Sequence, residues 1–449
     1  MARQLTAAGR PARGVAPDGS AVLVDQVELS EPLRDIAVPA RDGASYSAIR
    51  LLVRLHHQPL GFVTVPLADD GPDAPQVAER VWEQLRVEVD AHLLEDGLGP
   101  VASIPVAGLV AERRPRCMQG RTGGSAAPLV TVVVCTRDRP RSLARCLEAL
   151  AKVHYDPFEV VVVDNAPTTP QTLAVVRARS DADSRVRYVR EPRPGLSRAR
   201  NCGLRAARGE LVAFTDDDVV VDPHWLDGVV RGFGRSPSVA CVTGLVPSAR
   251  LESAGQRYFD RRVSWAVSCT PRRYGLRAGA DESPLYPYAA GQFGTGANFA
   301  FRTAMLRELS GFDEALGAGA PAGGGEDLDV FVRTILAGYE LAYEPAAVVW
   351  HEHRMELGQL RRQLFDYGVG LAAFATKYLS DRRTARDVLV RLPRGLRHLR
   401  GIATRAERPS GLPRSVLIPE LLGLAWGPIA YWLGRHRQGR PDVARVDAR

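Results

Sequence analysis

Residues 211–218 read Leu-Val-Ala-Phe-Thr-Asp-Asp-Asp, and Val219-Val220-Val221-Asp222-Pro223 carries the chain onward. An apolar run that ends in three carboxylates predicts a buried strand with its charges at the carboxyl edge of a sheet, where open α/β sheets place their ligands. Asp216 and Asp218 stand two apart, so on an extended chain they share a face while Asp217 points to the other. Two like-charged oxygen donors on one face repel unless a cation or donor groups lie between them. Mg²⁺ or Mn²⁺ carrying a diphosphate meets that need.

Upstream of this stretch the chain alternates strand and helix patterns. Leu129–Cys135 reads as a buried strand, followed by Thr136-Arg137-Asp138-Arg139-Pro140, with Pro140 opening a helix. Phe158–Val163 is a second strand ending in Asp164-Asn165, and Val186–Val189 a third. Glu191–Asn201 then leads into a helix that ends near Gly209. Downstream, Val239–Val246 and the segment from Gly296-Ala297-Asn298 read as strands. Gly323-Gly324-Gly325-Glu326-Asp327 opens a helix, and the strand Val348–Trp350 ends in His351. This order predicts an α/β fold with a doubly wound, mostly parallel sheet over residues 129–377.

Other segments flank that sheet. Residues 1–20 read as a flexible leader without a continuous apolar core, so no secretory signal is expected. Residues 21–111 predict a small α+β domain: strand-like runs such as Ala48–Leu55 and Gly61–Val65, then a helix from Pro75 to Leu94 with Val77, Val81, Leu85 and Val89 at spacing four. His56-His57 reads there as a strand pair rather than a metal site. Residues 112–128, rich in Gly, Pro and Arg, form a linker. Residues 378–449 predict a basic helical tail. From Asp381 to Arg449 fifteen arginines stand against six acids, a net of +9, which leaves the rest of the +8 chain near neutral at −1. A basic tail on a neutral body points to an anionic surface. The apolar run Leu421–Leu433 is too short to span a bilayer, which needs about 20 residues, and suits an interfacial helix or one packed on the body. No aromatic stacking platform accompanies the arginines, so nucleic acid is not expected.

At 449 residues, 45% hydrophobic and 24% charged, the chain has the composition of a globular protein. All but two of its basic residues, Lys152 and Lys377, are arginine. Its six cysteines show no metal-ligand spacing and read as reduced thiols of a cytoplasmic protein, which the basic tail would hold at the inner face of the plasma membrane. No GxGxxG follows the first strand, which argues against a nicotinamide dehydrogenase.

Several motifs in one order carry a resemblance. Thr136-Arg137-Asp138-Arg139-Pro140, Val163-Asp164-Asn165, Ala199-Arg200-Asn201, Asp216-Asp217-Asp218, Gly296-Ala297-Asn298, Glu326-Asp327 and His351 together resemble the family 2 glycosyltransferases of GT-A fold, over about residues 129–370. The resemblance implies an inverting, metal-dependent transfer of a sugar from a nucleotide diphosphate donor, a UDP-sugar first, to an acceptor hydroxyl in glycan, glycolipid or cell-wall synthesis. It implies Asp327 as the catalytic base. The donor would be held by Thr136, Arg137, Asp164, Arg200, Asn201, Asp216 and Asp217, with Asp164 facing the uracil N–H. Mg²⁺ or Mn²⁺ would sit on Asp216, Asp218 and His351, with His353 the fallback for the histidine. Asn298 and Glu326 would meet the acceptor. One departure stands out: where processive members carry Gln-x-x-Arg-Trp, this chain has Gln359-Leu360-Arg361-Arg362-Gln363, so transfer of one or a few sugars is expected. Two alternatives remain. A haloacid-dehalogenase-like phosphotransferase would use Asp216 as nucleophile, but no lysine lies between Asp218 and Lys377 to serve it. A non-catalytic nucleotide-sugar-binding protein would keep the fold without the base.

Overall fold

The computed structural model describes residues 21–39, 46–67, 71–111, 113–118, 127–262, 264–276, 283–352, 357–391, 393 and 418–438. The expected leader, most of the expected linker, His353 and the tail at 394–417 and 439–449 lie outside the described residues. The chain divides into two compact units, the first made of the described residues before 119 together with Arg250–Ala254, the second of the remainder.

In the first unit β1 (Ala21–Glu28) runs parallel to β2 (Tyr46–Leu55), which pairs antiparallel with β3 (Gln58–Pro66). Helix α1 (Ala74–Glu95) starts at Asp73, whose carboxylate accepts from the Gln76 amide while the Gln76 side chain returns to the Asp73 amide, so two orphan donors are met at once. Its stripe of Val77, Val81, Leu85, Val89 and Leu93 packs on Ile49, Leu51, Val53 and Val63 of the sheet. His56-His57 is not part of a strand. It forms the two-residue turn between β2 and β3, with φ of 53° and 63°. Asn-Gly is the usual choice for such a turn because both positions are left-handed, and the Glu28 carboxylate holds this one by accepting both histidine amides, each at 2.9 Å.

The second unit is built on a nine-stranded sheet. Its first half comprises β4 (Val130–Thr136), α2 (Pro140–Leu150), β5 (Phe158–Asn165), α3 (Gln171–Ala182), β6 (Val186–Glu191), α4 (Leu196–Ala206) and β7 (Leu211–Asp216). Then follow β8 (Val219–Val221), α5 (Trp225–Phe233), β9 (Val239–Leu245), α6 (Ala254–Arg262), β10 (Arg272–Tyr274), β11 (Asn298–Arg302), α7 (Thr303–Glu308), α8 (Glu326–Leu336), β12 (Glu340–His351) and α9 (Leu357–Ser380). The strand order is β10-β12-β9-β11-β7-β4-β5-β6, and β8 pairs with β12 off this path. β7, β4, β5 and β6 are mutually parallel, as are β9 and β12, while β11 runs antiparallel between β7 and β9. Apolar clusters lie on both faces, one around Val132, Leu147, Trp225 and Ala300, the other around Val133, Phe214, Phe299 and Phe331. The mostly parallel, doubly wound sheet that the alternating pattern predicts is therefore present.

The register sets up the site. Thr136 lies opposite Asp164, and Cys135 opposite Asp216, so the ends of β5, β4 and β7 align as one row of polar tips. Helix α8 is tied to α9 by a buried network: Asp329 meets Arg333 at 2.8 Å and Lys377 at 2.7 Å, and Lys377 also meets Asp313 at 2.8 Å.

After α9 come α10 (382–391) and α11 (Ile418–Gln438). α11 packs closely on α9, where a Cβ at Gly368 would run into the Glu420 carbonyl and one at Gly423 into the Phe365 carbonyl. The tail helix is thus packed on the body along one face. Its other face is not covered among the described residues: Ile418, Leu422, Trp426, Ile429 and Leu433 recur at helical spacing and are exposed. No described helix is long and apolar enough to cross a membrane.

Candidate active site

Strand β7 delivers Asp216 and then turns through Asp217 and Asp218 into β8. β8 pairs antiparallel with the end of β12, with Val219 opposite His351, and this brings the late histidine to the acidic turn. His351 Nε2 lies 3.5 Å from Asp218 Oδ1. One ligand atom each from Asp216, Asp218 and His351 all fall within 4.8 Å of one another, an oxygen-rich set with one imidazole that fits Mn²⁺ or Mg²⁺. Burial pushes Asp216 above the usual carboxylate range; Arg200 opposes it, and Asp218, Asp217 and Glu326 reinforce it. A carboxylate so crowded gains from a cation.

Arg139 is the neighbour that the sequence reading did not single out. Its guanidinium bridges Asp217 and Asp218, at 3.0 Å to each. Asp217 lies in the turn that follows β7 and shares Arg139 with Asp218. It is buried and accepts from the Thr136 hydroxyl at 2.6 Å. Thr136 and Asp217 are therefore each other's partners, and Arg137 is exposed at the same turn.

Asp164 is 1% exposed at the tip of β5. Its Oδ2 accepts from the Tyr188 hydroxyl at 2.9 Å, while Oδ1 is buried without a hydrogen bond, near an equally unbonded Thr172 hydroxyl. Burial holds this carboxyl above its ordinary range, and Tyr188 offsets that only in part.

Arg200 links the acidic turn to α8. It is 2% exposed, pairs with Glu326 at 2.8 Å and Asp216 at 3.6 Å, and donates to the Gly296 carbonyl at 2.8 Å. The Gly296 amide in turn donates to Asp327 Oδ2 at 2.8 Å, and the Leu328 amide to Asp327 Oδ1, also at 2.8 Å. Asp327 thus stands at the first turn of α8 with its carboxylate oriented by two backbone amides. The helix can begin there because Gly325, at φ 88°, takes a left-handed cap position where a Cβ would run into the Gly370 carbonyl of α9. Glu326 is buried, and burial with the adjacent Asp327 raises it against Arg200.

The sequence model described as Glycosyl transferase family 2 matches residues 131–309. The pre-mycofactocin glycosyltransferase of Mycobacterium tuberculosis is 30% identical over 299 residues, which are 66% of this chain and 55% of that protein. The succinoglycan biosynthesis protein ExoM of Rhizobium meliloti is 30% identical over 249 residues, 53% of this chain and 72% of that one. The chain belongs to glycosyl transferase family 2. It spans about half the length (55%) of the mycobacterial relative. Among solved structures, a mannosyltransferase from Pyrobaculum calidifontis in complex with GDP-Man and Mn²⁺ aligns with a TM-score of 0.43 at 21% identity, covering 70% of this chain and 87% of that one.

Family 2 membership sets aside the phosphotransferase alternative. Two of the expected donor and acceptor contacts take other places in this family 2 chain. Asn201 clamps the turn after α7: its amide donates to the Phe312 carbonyl at 2.9 Å and its oxygen accepts from the Phe312 amide at 2.8 Å. Asn298 is 1% exposed, accepts from the Trp225 indole at 2.9 Å and donates to the Ala347 and Leu245 carbonyls at 2.8 and 3.2 Å. Both amide hydrogens of Asn298 and its oxygen are thus taken up inside the protein, while Asn201, half-buried, has one bond at its nitrogen and one at its oxygen. Arg200, likewise enclosed, acts on its carboxylate neighbours rather than as an open anion contact.

Proposed function

We propose that the protein transfers a sugar, with inversion, from a nucleoside diphosphate donor to a hydroxyl of a glycan, glycolipid or cell-wall precursor, one or a few sugars at a time. The observation that carries this reading is a run of neighbours: Asp218 and His351 have ligand atoms within 4.8 Å of one on Asp216, Asp216 pairs with Arg200, and Gly296 links Arg200 to Asp327. It joins a cation-suited group to a second, separate carboxylate, the two parts that an inverting displacement needs.

In this proposal Asp164 Oδ1 accepts the ring N–H of the base, an assignment supported by its buried, unbonded state. Asp216, Asp218 and His351 hold Mg²⁺ or Mn²⁺, which when bound supplies positive charge against the departing diphosphate. Asp327 accepts the proton of the acceptor hydroxyl as that oxygen attacks the anomeric carbon. Arg200 and Arg139 keep three acidic groups close together without mutual expulsion. The Gly-Gly-Gly run before α8 lets a sugar approach the backbone, and Glu326 keeps Arg200 in place.

The donor is read as a UDP-sugar. A thermal-shift panel of UDP-, GDP- and dTDP-sugars with Mn²⁺ tests this. UDP-sugars are expected to raise the unfolding midpoint and GDP-sugars not to. A shift by GDP-sugars alone would remove Asp164 from the uracil role, and no shift by any nucleotide would sink the proposal.

The tail is proposed to rest on an anionic membrane surface. The support is the exposed apolar stripe of α11 beside a tail with a net +9. Leu422→Ser combined with Ile429→Ser leaves the glycine face against α9 intact, and is expected to abolish co-sedimentation with phosphatidylserine-containing liposomes. Equal sedimentation of both proteins, or none by the parent chain, ends the idea.

A further inference from the structure

The first unit holds a second group of metal-ligating side chains, far in sequence from the acidic turn. His56, His92, Asp96 and Cys117 each offer one ligand atom, and all four lie within 4.8 Å of one another. The atoms come from three separate places. His56 sits in the β2–β3 turn, His92 and Asp96 one helical turn apart at the end of α1, and Cys117 in a short helical turn at Arg116–Met118.

Cys117 Sγ is 3.6 Å from His56 Nδ1 and 3.7 Å from His92 Nε2. With zinc–nitrogen bonds of about 2.0–2.1 Å and zinc–sulfur bonds of about 2.3 Å, tetrahedral angles put nitrogen and sulfur ligands about 3.6 Å apart and two nitrogen or oxygen ligands about 3.3 Å apart. The two imidazole nitrogens are 3.1 Å apart, and Asp96 Oδ2 lies 2.8 and 3.2 Å from them and 2.9 Å from the sulfur. The sulfur–nitrogen spacings already match. The nitrogen–nitrogen and Asp96–His92 spacings need to open by about 0.1–0.2 Å, the Asp96–His56 spacing by about 0.5 Å and the oxygen–sulfur spacing by about 0.7 Å.

Three further features point the same way. The other oxygen of Asp96 accepts from the Cys117 amide at 2.7 Å, so the ligand carboxylate is oriented by the backbone of its fellow ligand. His56 is held in a left-handed turn that a non-glycine residue adopts only under constraint, with Glu28 gripping both turn amides. Finally, one thiolate, one carboxylate and two neutral imidazoles carry the charge that a divalent ion neutralises, which is the condition for burying them together. His56, His92 and Asp96 are all buried.

We propose that His56, His92, Asp96 and Cys117 form a closed tetrahedral Zn²⁺ site that staples the segment after α1 to the β2–β3 turn. Four protein ligands leave no open position, so the ion is structural rather than catalytic. Mixed thiolate, imidazole and carboxylate donors favour zinc over Mg²⁺ or Mn²⁺. A three-stranded sheet with a single helix is a small core, the class of fold that gains most from such a staple.

The full chain carrying Asp218→Ala, which removes the other candidate metal group, is purified without added metal and analysed by elemental mass spectrometry. About one zinc per chain is expected. Cys117→Ser and His92→Gln in that background are expected to lose the metal and to lower the unfolding midpoint. Replacement by Co²⁺ in the chain that retains Cys117 is expected to give a thiolate-to-cobalt charge-transfer band, a readout that survives even if the variants fail to fold. Absence of stoichiometric zinc together with absence of that band overturns the proposal, as does zinc retained in full by both folded variants.

Discussion

Asp218→Ala is expected to lower sugar transfer by at least about a thousandfold, and saturating chelator is expected to do the same to the unaltered protein. The size follows from the charge. A cation against a departing diphosphate contributes several kcal/mol, and about 4 kcal/mol corresponds to three decades in rate. Asp218 is the member of the group best placed for the role. One of its oxygens faces His351 at 3.5 Å, the other is fixed by Arg139 at 3.0 Å, and its side chain is 29% exposed, so it can reach both an ion and a ligand. Asp217, by contrast, is enclosed by Thr136 and Arg139. The substitution leaves that buried pair intact, so the fold should survive, and circular dichroism checks this. Mn²⁺ binding followed by electron paramagnetic resonance separates loss of the ion from loss of the donor. Full activity in excess chelator, or in Asp218→Ala, would falsify the metal role.

The parts of this arrangement visible in the sequence are those that depend on local pattern. A run of buried residues that stops at a carboxylate, as at Val163-Asp164 and Thr215-Asp216, is legible because a central strand buries both faces and ends where charge can reach solvent. The shared face of Asp216 and Asp218 is legible because the period of a strand is two. Arg139 is hidden by composition: with all but two of the 59 basic residues being arginine, no single one stands out. Asn298 looks like a motif residue, yet its partners Trp225, Leu245 and Ala347 come from three other elements, which no spacing reveals. The same holds for Arg200, whose role depends on Glu326 far along the chain. His56-His57 misleads for a different reason. Alternation suggests a strand pair, whereas Glu28 on the neighbouring strand supplies the carboxylate that stabilises a turn there. His92 and Asp96 are spaced for one helix face, but Cys117 joins them only after an irregular segment, so the group of four cannot be seen before folding.

Asp327→Asn is the substitution that separates chemistry from binding. It is expected to lower kcat by at least about a hundredfold, the scale of a lost general base, while donor affinity changes little. The side chain accepts from two backbone amides, Gly296 at Oδ2 and Leu328 at Oδ1. Asparagine is nearly the same shape and keeps one acceptor, so the structural loss is one hydrogen bond, about 0.5–1.5 kcal/mol. That loss shifts the unfolding midpoint but does not by itself stop proton removal. What asparagine cannot do is accept the acceptor's proton. The lost hydrogen bond lowers the midpoint in either case, so the rate decides: a purely structural Asp327 predicts a near-parental rate once folded, whereas a base predicts a folded, donor-binding protein with slow turnover. Glu326→Gln provides the contrast, because Glu326 is buried against Arg200 and its change should act through the placement of Asp216. Kinetics under saturating donor, with the donor dissociation constant measured alongside, distinguish the two cases. A kcat within a few-fold of the parent would remove Asp327 from the chemistry and leave it as the residue that fixes Gly296 beside Arg200.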